Sequence, residues 1–292
     1  MKVVLLFDEG PGVGLGHRRR MEALAAALSE RGHACTLVAL PVTEIPACDV
    51  IVVDSYRVRA DDPQFAAAPV VAAVDDLARD LAVAVVVDPS PGALGAAHRR
   101  ARRVLAGAAY ALVPVPEVPV RVAAVDERVR RVLVTTGAAD ATGVGAEIAG
   151  ALVARLDDIE VRLVIGPWGA TDVPADVIPV HAPGGLDREL GAAGIVVTAG
   201  GVALLEACRL GRPIVAVALA ANQRQAVQGL DREGAVVVAT PETVPGAVNA
   251  LVGDDARRRT LAAAAARAVD GRGAHRVVDT LEHLAAPAGS RR

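Results

Sequence analysis

The 292 residues exceed what one hydrophobic core usually serves, so the length predicts two domains of about 150 residues each. Hydrophobic side chains make up 53% of the chain but aromatics only 2%, so the core must be built from Ala, Val and Leu, which suits helices lying close to parallel sheets. With 31 basic and 34 acidic side chains, the net charge of −3 gives no general attraction for nucleic acid or a membrane, and the three cysteines lack the CxxC spacing of a zinc site or redox pair.

The chain opens on MKVVLLFDEGPG, whose apolar run meets acids and glycines rather than a small-residue cleavage site, so Lys2 to Phe7 is expected to be a first strand and not a leader. Further short apolar runs follow at Cys35 to Ala39, Val50 to Val53, Val70 to Val74 and Ala84 to Val87, the pattern of strands buried on both faces. Between the first two, Met21, Leu24, Ala25 and Leu28 recur at helical spacing over His17 to Arg31, and Gly32 supplies a stop. No run reaches the roughly 18 to 20 uninterrupted apolar residues of a membrane helix.

From Tyr110 to about Val125 the sequence turns proline-rich, which predicts a boundary between domains 1–120 and 121–292. A second series follows: a strand at Arg131 to Thr136, a helix at Val144 to Leu156, strands at Val161 to Ile165 and Ile195 to Thr198, a helix from Val202, a strand at Ile214 to Ala218 and a helix from Gln223. The remainder, Val244 to Leu284, is expected to be helical; Ala256 to Val269 either packs back across both domains or simply reflects the helix propensity of its alanines. Two consecutive α/β domains of this kind are expected to bind ligand outside their strand C-termini, in a cleft.

The first glycine turn, with Gly10, Gly12, Gly14 and Gly16, ends in Gly16-His17-Arg18, which lacks the Lys-Ser/Thr of a phosphate-binding P-loop. A dinucleotide site needs an acid at the end of the second strand, and Thr36 to Leu40 has none. What remains is a turn that presents the His17 imidazole as a general base, or a histidine that only caps its helix. The second turn places Gly200 and Gly201 between a buried strand and a helix, where N–H groups suit a diphosphate. Glu206 then either accepts from a ribose diol or faces solvent. Asn222 and Gln223 either touch ligand or cap the next helix. Three arginines at Arg18 to Arg20 oppose the helix dipole, which an anion nearby would rationalise. Asp75-Asp76 suits a helix cap better than a metal pair, and the basic run His98 to Arg103 suits a solvated helix face.

Taken together, Gly14-Leu15-Gly16-His17-Arg18-Arg19-Arg20, Val53-Asp54-Ser55-Tyr56, Asp75-Asp76, Tyr110-Ala111-Leu112, Ala199-Gly200-Gly201 with Glu206, Asn222-Gln223 and the late Asp270-Gly271-Arg272-Gly273-Ala274-His275-Arg276 resemble the nucleotide-sugar hydrolases of the pseudaminic acid pathway. That resemblance implies an α/β, GT-B-like fold with two Rossmann-like domains whose parallel sheets face across a cleft. It implies His17 as general base on a water attacking the anomeric carbon, and Gly16, Gly200, Gly201 and Glu206 on the nucleotide. Asp54, Tyr56, Arg20, Asn222 and Gln223 would lie near the sugar. Neither a cofactor nor a metal is implied. The expected partner is a nucleotide sugar, with neither nucleic acid nor membrane insertion, for a cytoplasmic monomer or weak dimer. Val202 and Ala203, Pro114 and Val115, and Gly137-Ala138-Ala139-Asp140 depart from the family's pattern in loops expected to face ligand. Hydrolysis of a UDP-sugar is the first expectation; glycosyl transfer to an organic acceptor and nucleotide-sugar binding without catalysis are the alternatives.

Overall fold

The computed structural model describes residues 1–115, 128–140, 142–169 and 172–286. These residues form two six-stranded sheets in which every neighbouring pair of strands is parallel. The first contains β1 (Lys2–Phe7), β2 (Ala34–Ala39), β3 (Val50–Asp54), β4 (Val70–Val74), β5 (Val85–Asp88) and β6 (Val104–Ala106), in the order β2-β1-β3-β4-β5-β6. The second contains β7 (Arg131–Thr135), β8 (Glu160–Val164), β9 (Ile178–Val180), β10 (Ile195–Ala199), β11 (Ile214–Val217) and β12 (Val237–Ala239), in the order β12-β11-β10-β7-β8-β9. The helices are α1 (Gly16–Glu30), α2 (Val144–Val153), α3 (Asp187–Ala192), α4 (Val202–Arg209), α5 (Gln223–Arg232), α6 (Val244–Val252), α7 (Asp255–Ala268) and α8 (Gly273–Ala285).

Side chains alternate across a strand, and β1 shows what this does. Val3, Leu5 and Phe7 join one core with Met21, Leu24 and Leu28 of α1 and with Ala274, Val277, Val278 and Leu281 of α8. Val4 and Leu6 point the other way, into a core closed by Ala60, Phe65, Ala68 and Leu81 from irregular segments. Only one face of the first sheet is therefore helix-covered. Met21, Leu24 and Leu28 are fully buried, each contributing about 1.5–3 kcal/mol. Gly32, at φ +76°, ends the turn that follows α1 in a conformation a side chain would strain.

The chain order fixes where each sheet can hold a ligand. From β1 the chain moves outward to β2, then returns past β1 to β3 and continues the other way, so the reversal lies between β1 and β3. In the second sheet β7 leads to β8 and β9, and β10 restarts on β7's other side, so the reversal lies between β7 and β10. At such a reversal the two connections leave on opposite faces and a crevice opens beyond the strand C-termini.

The structure bears on several of these expectations. The segment Cys35–Ala39 was expected to be buried on both faces, but β2 pairs only with β1 and is largely exposed, because it is an edge. The boundary expected at residue 120 lies outside the described residues. The chain divides into one unit of Met1–Glu9, Gly16–Val115 and the residues from Gly271 onward, and a second of Gly10–Leu15 with the described residues from 128 to Asp270. The last helix leaves the second unit because its apolar face, Ala274, Val277, Val278 and Leu281, completes the core of the first. The long alanine-rich helix α7 packs on α4 and α6 within the second unit.

Candidate active site

Four neighbouring strands of the first sheet, β1, β3, β4 and β5, end in or run directly into an aspartate: Asp8, Asp54, Asp75 and Asp88, with Asp76 following Asp75. All but Asp76 are buried, at 0 to 4% exposure, so each carboxylate must find compensating partners. For Asp54, at the reversal between β1 and β3, they come from the start of α1.

A glycine turn precedes α1 in the chain. Gly14 donates its N–H to the carbonyl of Gly10 at 2.8 Å, and both residues have positive φ, which only glycine adopts without strain. α1 then begins at Gly16, so His17 and Arg20, one turn apart, project over the end of β3. His17 is 2% exposed, and its Nδ1 lies 2.5 Å from Oδ1 of Asp54. Arg20 grips the same carboxylate, Nε to Oδ2 and Nη2 to Oδ1, both at 2.8 Å, and reaches Asp76 Oδ2 with Nη1 at 2.8 Å.

Burial opposes the charge on Asp54, but Arg20 and His17 overcome it, so its carboxyl lies below the ordinary aspartate range. Burial likewise opposes the charge of Arg20, and Asp54 and Asp76 more than offset it, holding the guanidinium charged. With Asp54 ionised, the short contact requires Nδ1 of His17 to carry the proton and donate it. The other ring nitrogen, Nε2, is then the basic one. A carboxylate that fixes the tautomer and stabilises the imidazolium is what a general-base histidine requires.

Tyr56 packs edge-on against the His17 ring, with centroids 4.3 Å apart, and its hydroxyl donates to Asp76 Oδ2 at 3.2 Å. Burial, then the Asp76 charge, push the phenol well above its usual range, so it stays a donor. Asp8 builds the turn that carries Tyr56: its Oδ2 accepts from the Ser55 hydroxyl at 2.9 Å and the Tyr56 N–H at 2.8 Å. Asp75 is used differently, on Arg79, whose Nη2 also donates to the Ser55 carbonyl at 2.7 Å.

The sequence-predicted residues His17, Asp54, Tyr56 and Arg20 thus meet, joined by Asp76 and Asp8, which sequence reasoning missed as site residues. The available signal was the repeated aspartate at successive strand ends. Arg20, expected on substrate, has its guanidinium on two carboxylates, and Arg18 and Arg19 pair with Glu9 and Glu22, so side chains supply the anions that this helix start calls for. Among the described residues, no group of three or more His, Cys, Asp or Glu is placed to hold a metal.

In the second unit, the Gly137–Asp140 turn follows β7, and Gly200–Gly201 follow its parallel neighbour β10. Asp140 accepts from the Thr136 hydroxyl at 2.6 Å and the Gly145 N–H at 2.8 Å, tying its loop to the start of α2. Glu206 is 5% exposed on α4, which removes the solvent-facing reading. Asn222 stands at the N-cap of α5 without a side-chain cap bond. Gln223 braces the loop before it, its Oε1 accepting from the N–H of Leu219 at 2.9 Å and of Ala220 at 3.3 Å.

The two adjacent glycines have different reasons to be glycine. A Cβ on Gly200 would lie 2.7 Å from Cβ of Gln223 and 3.0 Å from its carbonyl oxygen, whereas one on Gly201 meets nothing within 4 Å. Gly200→Ala is expected to destabilise the fold by about 1–3 kcal/mol through displacement of α5. Gly201→Ala should change stability by less than about 0.5 kcal/mol. Urea denaturation of both variants measures the difference; equal losses would refute this division of roles.

No protein-family model matches the sequence, and no curated protein does. Solved structures do match along nearly the whole chain. The spinosyn forosaminyltransferase SpnP is 17% identical, with a TM-score of 0.65 over 98% of this chain and 100% of its own. The spinosyn rhamnosyltransferase SpnG complexed with thymidine diphosphate is 18% identical, with a TM-score of 0.64 over 97% and 100%. MurG of Acinetobacter baumannii is 14% identical, with a TM-score of 0.63 over 97% and 100%. At such identities the likeness is one of fold, and the fold of this chain is that of the GT-B glycosyltransferases.

Proposed function

We propose that the chain transfers a sugar from a nucleoside diphosphate donor to an acceptor hydroxyl, with His17 as general base. The observation that carries this is the buried His17–Asp54 pair at the strand reversal of the first sheet, Nδ1 to Oδ1 2.5 Å apart, from which Nε2 is assigned as the basic nitrogen. Nε2 takes the proton from the acceptor hydroxyl as its oxygen attacks the anomeric carbon. The bond from that carbon to the diphosphate oxygen breaks, the electron pair leaves with the nucleotide, and the anomeric centre inverts. Asp54 stabilises the imidazolium that forms. Arg20 holds Asp54, so it acts as a positioning residue rather than a substrate contact. The Gly200–Gly201 turn with the start of α4 is assigned to the diphosphate and the buried Glu206 to the ribose. No step uses a metal, since backbone N–H groups at a helix start can stabilise the leaving diphosphate.

Between the two enzymatic readings of the sequence, the likeness to sugar transferases favours transfer over hydrolysis. The test is a panel of UDP-, TDP-, GDP- and CMP-sugars, each with and without a mixture of phenolic and aliphatic alcohols. Acceptor-dependent release of nucleotide together with a glycosylated product is expected. Release that is equally fast without acceptor would replace transfer by hydrolysis, and tight binding of a donor without turnover would replace both by a binding function.

A further inference from the structure

We propose that the connection between β5 and β6 is a docking surface for anionic lipid membranes. The stretch from Pro89 to Val115 contains no acidic residue, but Arg99, Arg100, Arg102 and Arg103 fall within five positions. The sequence suggests one solvated face of a helix there; the structure instead has a series of turns, and all four arginines are exposed. Nine residues before Arg103 lies Leu94, 91% exposed, in the segment Pro91-Gly92-Ala93-Leu94-Gly95. A leucine held this far into water has no folding role.

The display is built rather than loose. Gly92 and Gly95, at φ +78° and +71°, turn the chain on either side of Leu94. A Cβ on Gly95 would lie 2.7 Å from Val104 Cγ1, so the loop is seated against β6 and the Leu94 tip stands beside the Arg102–Arg103 entry to that strand. His98 pins the middle of the connection. It is 2% exposed, its Nδ1 is 2.9 Å from the Arg79 carbonyl, and its Nε2 is 3.6 Å from Oδ2 of Asp88. With His98 drawn inward, Arg99 and Arg100 point outward, with side chains 83% and 58% exposed. Asp80 pairs with Arg99 at 4.0 Å and accepts from the Arg100 N–H at 2.7 Å, and Asp61 pairs with Arg100 at 3.6 Å; loose pairs on solvent-exposed arginines hold little of their charge back.

An anchored connection that carries four exposed arginines and one exposed apolar tip matches a surface with anionic headgroups over hydrocarbon. The arginines alone would equally suit a nucleic acid or an acidic protein. Leu94 decides the choice, because a phosphate backbone offers an exposed leucine nothing, whereas a bilayer interface buries it. The surface is separate from the His17 site and does not depend on which reaction that site performs.

Co-sedimentation of the full chain with vesicles tests this, using phosphatidylcholine alone against phosphatidylcholine with about 30% phosphatidylglycerol. Binding is expected to the anionic vesicles only, and to be lost in about 0.5 M salt. Leu94→Ser should weaken it about tenfold, and Arg102→Gln with Arg103→Gln at least tenfold. Unchanged thermal unfolding would show that these surface substitutions leave the fold intact. Absence of binding at low salt overturns the proposal, as does equal binding to neutral vesicles. Binding that Leu94→Ser leaves untouched while heparin competes for it would likewise overturn it, in favour of a polyanionic macromolecule.

Discussion

His17→Asn is expected to lower kcat for sugar transfer by about 10²–10⁴-fold while the affinity for the donor changes by no more than about twofold. The asparagine amide can still donate to Asp54, so the buried carboxylate keeps a partner and the fold survives. What is lost is the second ring nitrogen, the only atom of the residue able to take a proton from the acceptor. The check is a steady-state comparison of kcat and KM using the donor and acceptor identified by the panel, with donor affinity measured separately by calorimetry. A loss of less than tenfold in kcat would remove His17 as the base. A loss confined to KM would make it a binding residue.

Arg20→Met is expected to destabilise the first unit by about 3–5 kcal/mol, the largest effect of any single substitution considered. Its guanidinium makes three short bonds, two to the buried Asp54 and one to the partly buried Asp76. Removing it leaves two carboxylates close together without their shared cation. Lysine would not serve, since a point charge cannot span both faces of Asp54 and also reach Asp76. Asp54→Asn added to Arg20→Met relieves part of that repulsion, so the double variant should be more stable than the sum of the single losses predicts, by about 1–3 kcal/mol. Guanidinium denaturation of the four proteins closes the cycle. A loss below about 1 kcal/mol for Arg20→Met would mean that the cation is not what holds the carboxylates together.

The central strands were legible in the sequence because a strand buried on both faces must be a continuous apolar run, and β1, β3, β4 and β5 are such runs bounded by turn residues. The edge strands β6, β9 and β12 were not, since three residues at the rim of a sheet leave no periodicity. His17 was visible because a glycine turn followed by a helix start limits what a histidine there can do. Its partners were less so. Asp54 and Arg20 were singled out as substrate contacts, but their bond to each other depends on β3 lying beside β1, and that on Asp76 depends on β4 lying beside β3. Strand order is a property of the assembled sheet, and adjacent aspartates at a strand end look locally like ordinary caps. In the same way, nothing in the Ala199-Gly200-Gly201 string distinguishes a glycine needed to pass α5 from one open to ligand.

The return of α8 to the first unit has a consequence for synthesis on the ribosome. All six strands of that unit emerge before residue 107, but four apolar side chains of its core, Ala274, Val277, Val278 and Leu281, are translated only after the entire second unit. The nascent N-terminal half must therefore wait, with the groove beside α1 open to water, while a complete second unit is made. His17 and Arg20 ride on α1, which packs against α8, so the helix that carries them is seated only after the second unit has been translated. A chain terminated before Gly273 would carry every residue of the site and lack the helix that seats it.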